Sequence, residues 1–599
     1  MNSGSKTLIR VLLATIVGSL SFSAMATTSQ AAVKKPVSVY PMPGTPVASD
    51  KTTISFRGLK PKNLGPIKVY GGKSGRHGGK RLVHSDGNGV SFIPKRSFTP
   101  GEKVKVYTKK RIKRTNKGDF AFRIGRFYGN DDKKGKPGEP NKFPKLKSRP
   151  DLKPPNMKVE TLTDEASPGK IFVAPRQDGM VITDNFGRIS YLQQAGHGGK
   201  GDSILNFQNQ TYEGKPVLTY WKGASSTTGF SQIGTFEILN RKYNRIARFQ
   251  PGNGYKADIH EFAITPRNTA LVLAYRGVLW NSTSVGLGKN AKILDNVIQE
   301  IDIKTGAVLF EWHSLGNVGL KSSAGETPDD GSPYDYFHAN SIKMDGDSYL
   351  ISARRQSTIY RVDRKTARIR WALRGDGRKG SFKMGPGTSF GYQHDAQRLP
   401  NGNISLFDNG SGRGVPEVNP TSSGLVLKLQ GKGKNRSASL VKRYSHPDGI
   451  VSGSQGNMDT NGDNHLVGWG SEAQLTEFNA AGDVVLDMTF YDAPSSSYRA
   501  YKGNWVGIPK GRPAIASEAV GEGATVYASW NGSQSIAEWK VFSGAGAGSL
   551  SEVGSAPWAN LETAIDVASI GARVQVQAFD REGKKIGQSK VVAVGTQSR

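Results

Sequence analysis

Short runs of alternating apolar and polar residues, separated by glycine and proline turns, recur along most of this chain. "IKVYGG", "VSFIP" and "KVKVYTK" near the N-terminus each place every second side chain on the same face. Alternation with a period of two is typical of half-buried β-strands. The 74 glycines among 599 residues supply many tight turns. The pattern therefore predicts an all-β protein.

From residue 157 onward the strand pattern repeats as a unit of about four strands. Pairs of strands joined by a short turn recur in "VIQEIDIKTGAVLFEW", "STIYRVDRKTARIRWAL" and "AQLTEFNAAGDVVLDMTF". Repeated four-stranded antiparallel meanders are typical of a β-propeller. The available length favours a propeller of six blades, flanked by small β-sandwich domains on its N-terminal and C-terminal sides.

Five segments are predicted along the chain. They are a signal peptide at 1–32, a basic N-terminal β-sandwich at 33–118, a Lys/Pro/Gly-rich linker at 119–156, the β-propeller catalytic domain at 157–511 and a C-terminal β-sandwich at 512–599. The linker is inferred from 129–155, where lysine, proline and glycine are frequent and apolar residues are rare. Such a composition is typical of an extended, poorly packed chain.

The first residues have the features of a targeting sequence. Lys6 and Arg10 precede an apolar run at 11–26, and "AMA" or "QAA" offers a small-residue cleavage site. A membrane anchor is the alternative, but glycine and serine interrupt the run, and no second run of about 20 apolar residues follows. We expect a secreted or cell-envelope-associated protein without a transmembrane segment. The absence of cysteine excludes disulfides and thiolate metal sites.

The formal net charge of +33 belongs mainly to the N-terminal part of the chain, because residues 33–150 hold 30 basic and 7 acidic side chains. Base-reading motifs and regularly spaced aromatic residues are missing, which argues against nucleic acid as a partner. An anionic cell-surface polymer or a lipid headgroup layer is the functional interpretation. A merely solvated basic surface is an equally good explanation.

Three histidines occupy equivalent places in the repeat. "DIHEFAITPRN" contains His260, "YFHANSIKMDG" contains His338 and "YQHDAQRLPNG" contains His394, and a turn residue follows each histidine after eight positions. In a propeller, equivalent positions of the inner strands meet around the central channel, so these histidines should form one ring. Arg276 and Arg354 each lie sixteen residues after a histidine and are expected near that ring.

A ring of histidines with arginine has three interpretations. Each histidine could satisfy backbone groups at the end of a strand. Three neutral imidazoles could bind Zn²⁺, although a neighbouring arginine disfavours a cation. The third interpretation is a site for an oxyanion, in which Arg and His⁺ neutralise oxygens while one neutral imidazole attacks. On the residues alone, any of the histidines could be that nucleophile.

The motifs "HANSI", "SARRQSTI" and "YQHDAQRLPNG" resemble those of the arylsulfotransferase family, in particular the bacterial aryl-sulfate sulfotransferases. The resemblance covers most of the segment from about 171 to 509. It implies a six-bladed propeller that moves a sulfuryl group from a phenolic sulfate ester to a phenolic acceptor. The implied reaction is ping-pong, passes through a sulfohistidine, and uses neither the nucleotide sulfate donor nor another cofactor.

The resemblance also implies roles for individual residues. His394 would be the nucleophile, and His260 and His338 would hold sulfuryl oxygens and exchange protons with the phenols. Asn340 would donate an amide hydrogen bond, and Arg354 would stabilise the charge of the transition state. The sequence departs from the family pattern at Asp395, at a second arginine, Arg355, and in lacking a cysteine pair.

Aromatic residues near the motifs are candidate platforms for a phenol, although ordinary blade core is the simpler assignment for each. With Arg276, the candidate substrate-binding residues are Tyr392, Trp469 and Trp505. The competing hypothesis is a non-catalytic secreted β-propeller that binds an anionic cell-wall polymer or a sulfated glycan through its basic N-terminal domain.

Overall fold

The computed structural model describes residues 35–129, 145–175, 179–194, 202–224, 234–411, 417–490 and 496–598. The predicted signal peptide 1–32 and residues 130–144 of the predicted linker lie outside these ranges. The described part is all-β, as predicted, and consists of many small sheets of mostly antiparallel strands. Three-residue 3₁₀ turns occur at Pro61–Asn63, Thr283–Val285, Leu320–Ser322, Arg354–Gln356 and Gly433–Asn435.

The N-terminal part forms two four-stranded sheets that share one apolar core. Its strands are β1 (Ser38–Tyr40), β2 (Ile54–Arg57), β3 (Ile67–Gly71), β4 (Gly75–His77), β5 (Gly79–Val83), β6 (Gly89–Pro94), β7 (Lys103–Thr108) and β8 (Asp119–Arg123). The sheet orders are β1-β2-β6-β5 and β4-β3-β7-β8. Because β8 pairs with β7, the N-terminal sheets extend past the predicted boundary at residue 118.

Six further sheets of four or five strands follow. Their strands are β9 (Met157–Leu162), β10 (Lys170–Val173), β11 (Gly179–Thr183), β12 (Ile189–Gln194), β13 (Asp202–Tyr212), β14 (Lys215–Ala224), β15 (Gly234–Leu239), β16 (Arg245–Phe249), β17 (Phe262–Ile264), β18 (Thr269–Trp280), β19 (Ala291–Asp302), β20 (Val308–His313), β21 (Ala339–Asp345), β22 (Ser348–Ala353), β23 (Thr358–Asp363), β24 (Ile369–Arg374), β25 (Lys383–Met384), β26 (His394–Arg398), β27 (Ile404–Asp408), β28 (Ser423–Gln430), β29 (Ser437–Tyr444), β30 (Asn457–Asn461), β31 (Asn464–Gly468), β32 (Gln474–Phe478), β33 (Val484–Phe490) and β34 (Tyr501–Gly503).

In chain order these sheets are β12-β11-β10-β34, β13-β14-β15-β16, β17-β18-β19-β20, β21-β22-β23-β24, β25-β29-β28-β27-β26 and β30-β31-β32-β33-β9. Strands from distant parts of the chain complete two of them, since β34 pairs with β10 and β9 pairs with β33. Contacts run in a cycle: β13 touches β17, β18 touches β21, β21 touches β26, β26 touches β30, β30 touches β34 and β34 touches β13. One or two strands of each sheet therefore contact the neighbouring sheets in a closed cycle around a common centre.

The N-terminal sheets share a core with the third and fourth of these six sheets. Tyr40, Met42 and Val47 belong to the same buried cluster as Phe310 and Tyr349. The Ser55 hydroxyl donates a hydrogen bond to the carbonyl of a β20 residue, and Ser49 Oγ donates to the Asn253 carbonyl at 2.6 Å. The N-terminal part is therefore packed against the third and fourth sheets.

The described end of the predicted linker is packed as well. Leu152 is 7% exposed and lies in a core cluster with Ile171 and Leu486. The Ser148 backbone N–H donates to Glu562 Oε2 at 2.6 Å. Residues 145–156 therefore differ from the extended, poorly packed chain that their composition predicts.

A last pair of sheets lies near the C-terminus. Its strands are β35 (Ala514–Val520), β36 (Gly523–Ser529), β37 (Glu538–Gly544), β38 (Ser551–Pro557), β39 (Glu562–Val567), β40 (Arg573–Phe579), β41 (Lys585–Gln588), β42 (Val592–Ala593) and β43 (Gln597–Ser598). The orders are β39-β36-β35-β43 and β38-β37-β40-β41, with β42 paired to β40. Across the described ranges, no helix is long and apolar enough to cross a membrane.

Candidate active site

The three histidines lie at or just before the start of a strand that forms one end of its sheet, in three consecutive sheets. His260 precedes β17 by two residues, His338 immediately precedes β21 and His394 is the first residue of β26. The rings of His260 and His338 meet edge to face with centroids 4.9 Å apart. The Tyr275 ring lies 5.6 Å from His260 and 5.9 Å from His338. The repeat alignment therefore brings equivalent histidines together.

Each imidazole has its Nδ1 atom bonded to a side-chain oxygen. His260 Nδ1 lies 2.6 Å from Asp258 Oδ1, and His338 Nδ1 bonds to Asp335 Oδ2. His394 Nδ1 instead lies 2.7 Å from Asn409 Oδ1. Two histidines are thus backed by a carboxylate and one by a neutral amide. Nε2 is therefore the nitrogen that can face a substrate, and in His394 it accepts a 3.3 Å hydrogen bond from the Gln455 N–H that an incoming sulfur atom must displace.

The amide of Asn409 determines which nitrogen of His394 carries the proton. Asn409 Nδ2 donates to the carbonyls of Ser452, at 2.8 Å, and Gln455, at 3.1 Å. Its Oδ1 must therefore face His394 and accept a hydrogen bond from the Nδ1–H group. The Gln455 backbone N–H points at His394 Nε2 from 3.3 Å. His394 consequently presents an unprotonated Nε2 with its lone pair.

Burial and nearby cations keep His394 uncharged. Its side chain is 1% exposed. Burial, then the positive charge of Arg354, lowers the pKa of His394 well below 6.5, and His260 and His338 act in the same direction. Burial also lowers the pKa of His338, although the Asp335 carboxylate opposes that shift.

Arg354 reaches the site through the hairpin of β21 and β22. Its backbone N–H donates to the His338 carbonyl at 2.9 Å, so the two residues lie opposite each other. Its guanidinium donates to the Gly453 carbonyl at 2.9 Å and lies 5.6 Å from the centroid of the Tyr392 ring. Burial, then Arg355, lowers the pKa of Arg354 to about 10, which leaves the guanidinium charged at neutral pH.

Asn340 is completely buried between two of the histidine-bearing strands. Its Nδ2 donates to the Gln393 carbonyl at 2.7 Å, directly beside His394. Its Oδ1 has no hydrogen-bond partner among the described residues. Asn340 therefore ties β21 to β26 at the level of the histidines and keeps one amide proton for another acceptor.

Arg276 does not lie with the histidines. Its guanidinium lies 4.7 Å from the Phe127 ring centroid, and its neighbour Tyr275 faces the imidazoles instead. The β17–β18 register pairs Phe262 with Val272, which places position 274 opposite His260 when continued. The equal spacing of sixteen residues is therefore misleading, because the two hairpins differ in loop length and β21 contains a bulge.

Two of the three aromatic candidates are core residues. Trp469 is fully buried, donates from Nε1 to Thr476 Oγ1 at 2.9 Å and packs edge to face on Phe407. Trp505 is 4% exposed and donates to the Tyr243 hydroxyl at 3.2 Å. Tyr392 does lie at the site, beneath Arg354. The simpler core assignment thus holds for the two tryptophans.

A buried network of charges lies beside the histidines and accounts for Asp395. Arg499 Nη2 donates to the carbonyls of His260, at 3.1 Å, and Asn340, at 2.9 Å. Its Nη1 lies 3.1 Å from Glu261 Oε1 and 3.5 Å from Asp395 Oδ1. Asp395 therefore faces away from the imidazole of His394 and joins the strands from the opposite side.

Lys343 completes this network. Its Nζ atom lies 3.1 Å from Glu261 Oε2 and 3.3 Å from Asp395 Oδ1. Burial opposes its charge, but Asp395 and Glu261 together raise the pKa of Lys343 above its ordinary value. Arg499 and Lys343 thus neutralise Glu261 and Asp395, which directly follow His260 and His394 in the sequence.

Sequence reasoning missed the residues that orient the imidazoles. Asp258 and Asp335 come two and three residues before their histidines, in "DIH" and "DYFH", and this local signal could have been recognised. Asn409, Gln455 and Arg499 come from other segments, and no spacing in the sequence points to them. Among the described residues, no group of three or more His, Asp or Glu side chains could hold a metal ion.

Two solved structures resemble the chain at low sequence identity. The β-propeller domain of Cps50 (Swd1) from Myceliophteria thermophila has 10% identity and a TM-score of 0.28, with 63% of this chain and 96% of that domain covered. The C-terminal domain of PilY1 from Pseudomonas aeruginosa has 11% identity and a TM-score of 0.23, with 72% and 91% covered.

No curated protein matches the chain. A family comparison gives a specific result. The model of the arylsulfotransferase (ASST) family matches residues 208–491, which include all three histidines, Arg354 and Asn409. The segment 208–491 therefore resembles the arylsulfotransferase family, as the motifs around His338 and His394 predicted.

Proposed function

We propose that this protein is an aryl-sulfate sulfotransferase that works through a sulfohistidine on His394. The observation that carries the proposal is the difference between the imidazole partners. His394 is backed by the neutral Asn409, whereas His260 and His338 are backed by carboxylates. A neutral, correctly oriented imidazole is a nucleophile, and an imidazole on a carboxylate is suited to carrying protons.

In the first half-reaction, His394 Nε2 attacks the sulfur of a phenolic sulfate ester. The N–S bond forms as the bond between sulfur and the phenolic oxygen breaks, and the phenolate leaves with the electron pair. His260, whose Nδ1 is paired with the Asp258 carboxylate, gives that oxygen a proton from Nε2. The proton of His394 stays on Nδ1 throughout and is donated in a hydrogen bond to the Asn409 amide oxygen, so the sulfohistidine is a cation at the ring and an anion at the sulfuryl group.

The second half-reaction reverses these steps with a new phenol. The carboxylate-backed histidine, now neutral, removes the proton of the acceptor hydroxyl. The phenolic oxygen attacks sulfur, the N–S bond breaks and His394 recovers its neutral Nε2. Such ping-pong transfer requires only positioning and charge stabilisation, much like phosphoryl transfer.

The positive charge of Arg354 and the remaining amide proton of Asn340 lie beside His394 and would contact the sulfuryl oxygens. Losing one well-placed donor in such a site typically costs about 10²–10³ in rate. Tyr392, held beneath the Arg354 guanidinium, would support the phenol ring. The donor and the acceptor are both phenolic, as in the family.

We further propose that the six sheets around the common centre form a six-bladed propeller, with the reaction at one mouth of its channel. The contact cycle that returns from β34 to β13 supports this arrangement. Residues 1–32 begin with basic residues, continue with an apolar run and end with small residues. This order supports export to the cell envelope or beyond.

A chromogenic assay tests the proposed function. The purified chain is mixed with 4-nitrophenyl sulfate and phenol, and 4-nitrophenolate release and phenyl sulfate formation are followed without any nucleotide. We expect turnover by the wild type and by His465→Ala, a matched histidine variant on β31, and none by His394→Ala. Equal rates in the wild type and His394→Ala across several aryl sulfates would contradict the proposal.

A further inference from the structure

The N-terminal sheet β4-β3-β7-β8 has one buried face and one exposed face. Val69, Val104, Val106, Phe120 and Phe122 point into the core and are at most 5% exposed. The alternate residues of the same strands are exposed and form what we call the basic face. Its members are Lys68, Tyr70, Arg76, Lys103, Lys105, Tyr107, Asp119 and Arg123.

Cations on the basic face stand next to one another across the strands. Lys103 pairs in register with Arg123, and Tyr70 has Arg76 on one side and Lys105 on the other. Like charges directly opposite each other destabilise a sheet. None of these four cations forms an ion pair within the part of the chain that the structure describes. The Lys103–Arg123 pair therefore opposes the stability of the sheet and fits an external anion.

Two exposed tyrosines lie among these cations. Tyr70 and Tyr107 are 37% and 42% exposed, and their ring centroids are 6.1 Å apart. Flat aromatic surfaces beside cations suit a ligand that combines ring faces with negative groups. Cross-strand neighbours lie about 5 Å apart and alternate residues about 7 Å apart along a strand, so the face offers charges at closely repeated intervals.

The basic face continues into a cleft against β18. The cleft has a volume of about 440 Å³, and Lys73, Arg123, Arg126 and Trp280 are among its lining residues. Arg123 belongs to both surfaces. The Leu279 N–H donates a hydrogen bond to the Arg126 carbonyl at 2.8 Å, which joins the β18 side of the cleft to its N-terminal side. One continuous surface therefore combines six or more cations with three aromatic side chains.

The opposite sheet of the N-terminal part is occupied by intramolecular contacts. Ser38 Oγ donates to the Lys365 carbonyl at 2.8 Å, and the Tyr40 hydroxyl donates to the Arg364 carbonyl. The N-terminal sheets are thus attached through β1 and β2, while the basic face is left exposed to solvent.

We propose that the basic face and its cleft bind a linear anionic polysaccharide with sulfate or carboxylate groups. Lysine and arginine side chains neutralise the acidic groups, and Tyr70, Tyr107 and Trp280 contact the faces of the sugar rings. A membrane surface fits less well, because the eight residues of the basic face include no aliphatic or tryptophan side chain for insertion and Trp280 is only partly exposed in the cleft. This binding is independent of sulfuryl transfer and extends the function of the protein beyond it.

Equilibrium binding with the full chain tests the proposal. The probes are a heparin-derived octasaccharide, an oligogalacturonate, neutral maltoheptaose, oligo(dT) and phosphatidylglycerol vesicles, each titrated at several salt concentrations. We expect binding of the sulfated or the carboxylated oligosaccharide, with the tighter of the two identifying the anionic group. The affinity should fall steeply with salt, as expected when cations displace counterions from a polyelectrolyte.

Charge-matched variants locate the site. Lys103→Glu/Arg123→Glu should weaken polysaccharide binding at least tenfold and reduce the salt slope by about 2. Lys432→Glu/Lys434→Glu changes the net charge equally on an exposed segment of another sheet and should leave affinity within about twofold. Tyr70→Ala/Tyr107→Ala should weaken binding without changing the salt slope.

Three results would overturn the proposal. One is equal loss of affinity in the two charge variants, and another is tighter binding of oligo(dT) or of vesicles than of either acidic oligosaccharide. The third is no binding of any polysaccharide at low salt. A further variant, Arg123→Gln, controls for a folding defect. It relieves the Lys103–Arg123 repulsion, so its Tm in thermal unfolding should be unchanged or higher than that of the wild type.

Discussion

Asn409 is the residue that separates the chemistry of His394 from that of the other two histidines. Its Nδ2 is held by two carbonyls, so its Oδ1 can only accept from His394 Nδ1. Asn409→Ala should therefore slow sulfuryl transfer to the protein by about 10²-fold, since the productive tautomer is no longer enforced. Single-turnover release of 4-nitrophenolate measures this step. An unchanged rate would show that Asn409 does not orient the nucleophile.

The pH dependence of the same step follows from the lowered pKa of His394. A histidine whose pKa is below 6.5 remains a neutral nucleophile at pH 6.5 and loses activity only as the pH falls through the lowered value. We expect the acid limb of the single-turnover rate to lie below pH 6.5. A limb at or above pH 6.5 would contradict the assignment of a desolvated, uncharged imidazole.

Asn409→Asp provides a matched change of charge at the same position. A carboxylate beside Nδ1 stabilises the imidazolium, so the acid limb should move to higher pH by about 1–3 units. The variant keeps an acceptor for the Nδ1 proton and should retain more activity than Asn409→Ala above that limb. Identical pH profiles for the wild type and Asn409→Asp would argue that another group titrates.

At the scale of strands, Arg499 connects the segments that carry the histidines. Its guanidinium is fully buried and contacts Glu261 and two strand carbonyls. Arg499→Met leaves Glu261 and Asp395 with less compensation and should lower the free energy of unfolding by about 3–5 kcal/mol. Urea unfolding measures the loss, and sulfuryl transfer should fall with it because the strands beneath His260 and Asn340 lose their common anchor.

Two further variants make this prediction specific. Arg370→Met removes an arginine whose side chain is 34% exposed and paired with Asp347 and Asp363, and it should cost less than about 1 kcal/mol. Arg499→Met/Glu261→Gln removes the unpaired carboxylate as well and should recover part of the lost stability. If Arg499→Met were as mild as Arg370→Met, the buried network would have no structural importance.

The alternating pattern and the repeat spacing predict the positions of the strands, and the predictions that fail concern single residues. The alignment of the three histidines is right because each one lies at or within two residues before the start of a strand at the end of its sheet. The pairing of Arg276 with Arg354 is wrong because the two hairpins differ in loop length and β21 contains a bulge, so that position 274 rather than 276 lies opposite His260. Bulges and left-handed residues such as His338, Tyr392 and Asp395 leave no periodic signal, although they aim the side chains of the site.

At the scale of the whole molecule, composition predicts charge and strand content but not which surfaces are covered. The basic character of the N-terminal part was evident, whereas its shared core with the third and fourth sheets was not. The same limit applies to residues 145–156, whose polar composition does not reveal that Leu152 is buried. Contacts between distant segments depend on the assembled fold rather than on local pattern.

The shared core predicts cooperative unfolding. Met42 is 3% exposed and packs among residues of the N-terminal sheets and of the third and fourth sheets. Met42→Ala should therefore lower the free energy of unfolding by about 2–5 kcal/mol. Calorimetry should show the N-terminal sheets and their neighbours unfolding in one transition that shifts as a whole. A separate early transition, with the transfer activity retained after it, would mean that the N-terminal sheets fold as an independent domain.

The central claim is that His394 carries the sulfuryl group, and intact-protein and peptide mass spectrometry after mixing with aryl sulfate alone tests it most directly. We predict one added sulfuryl group, located on His394, which disappears when phenol is added and never forms in His394→Ala. Turnover without any modified histidine, or a sulfuryl group on His260 or His338 instead, would contradict the mechanism.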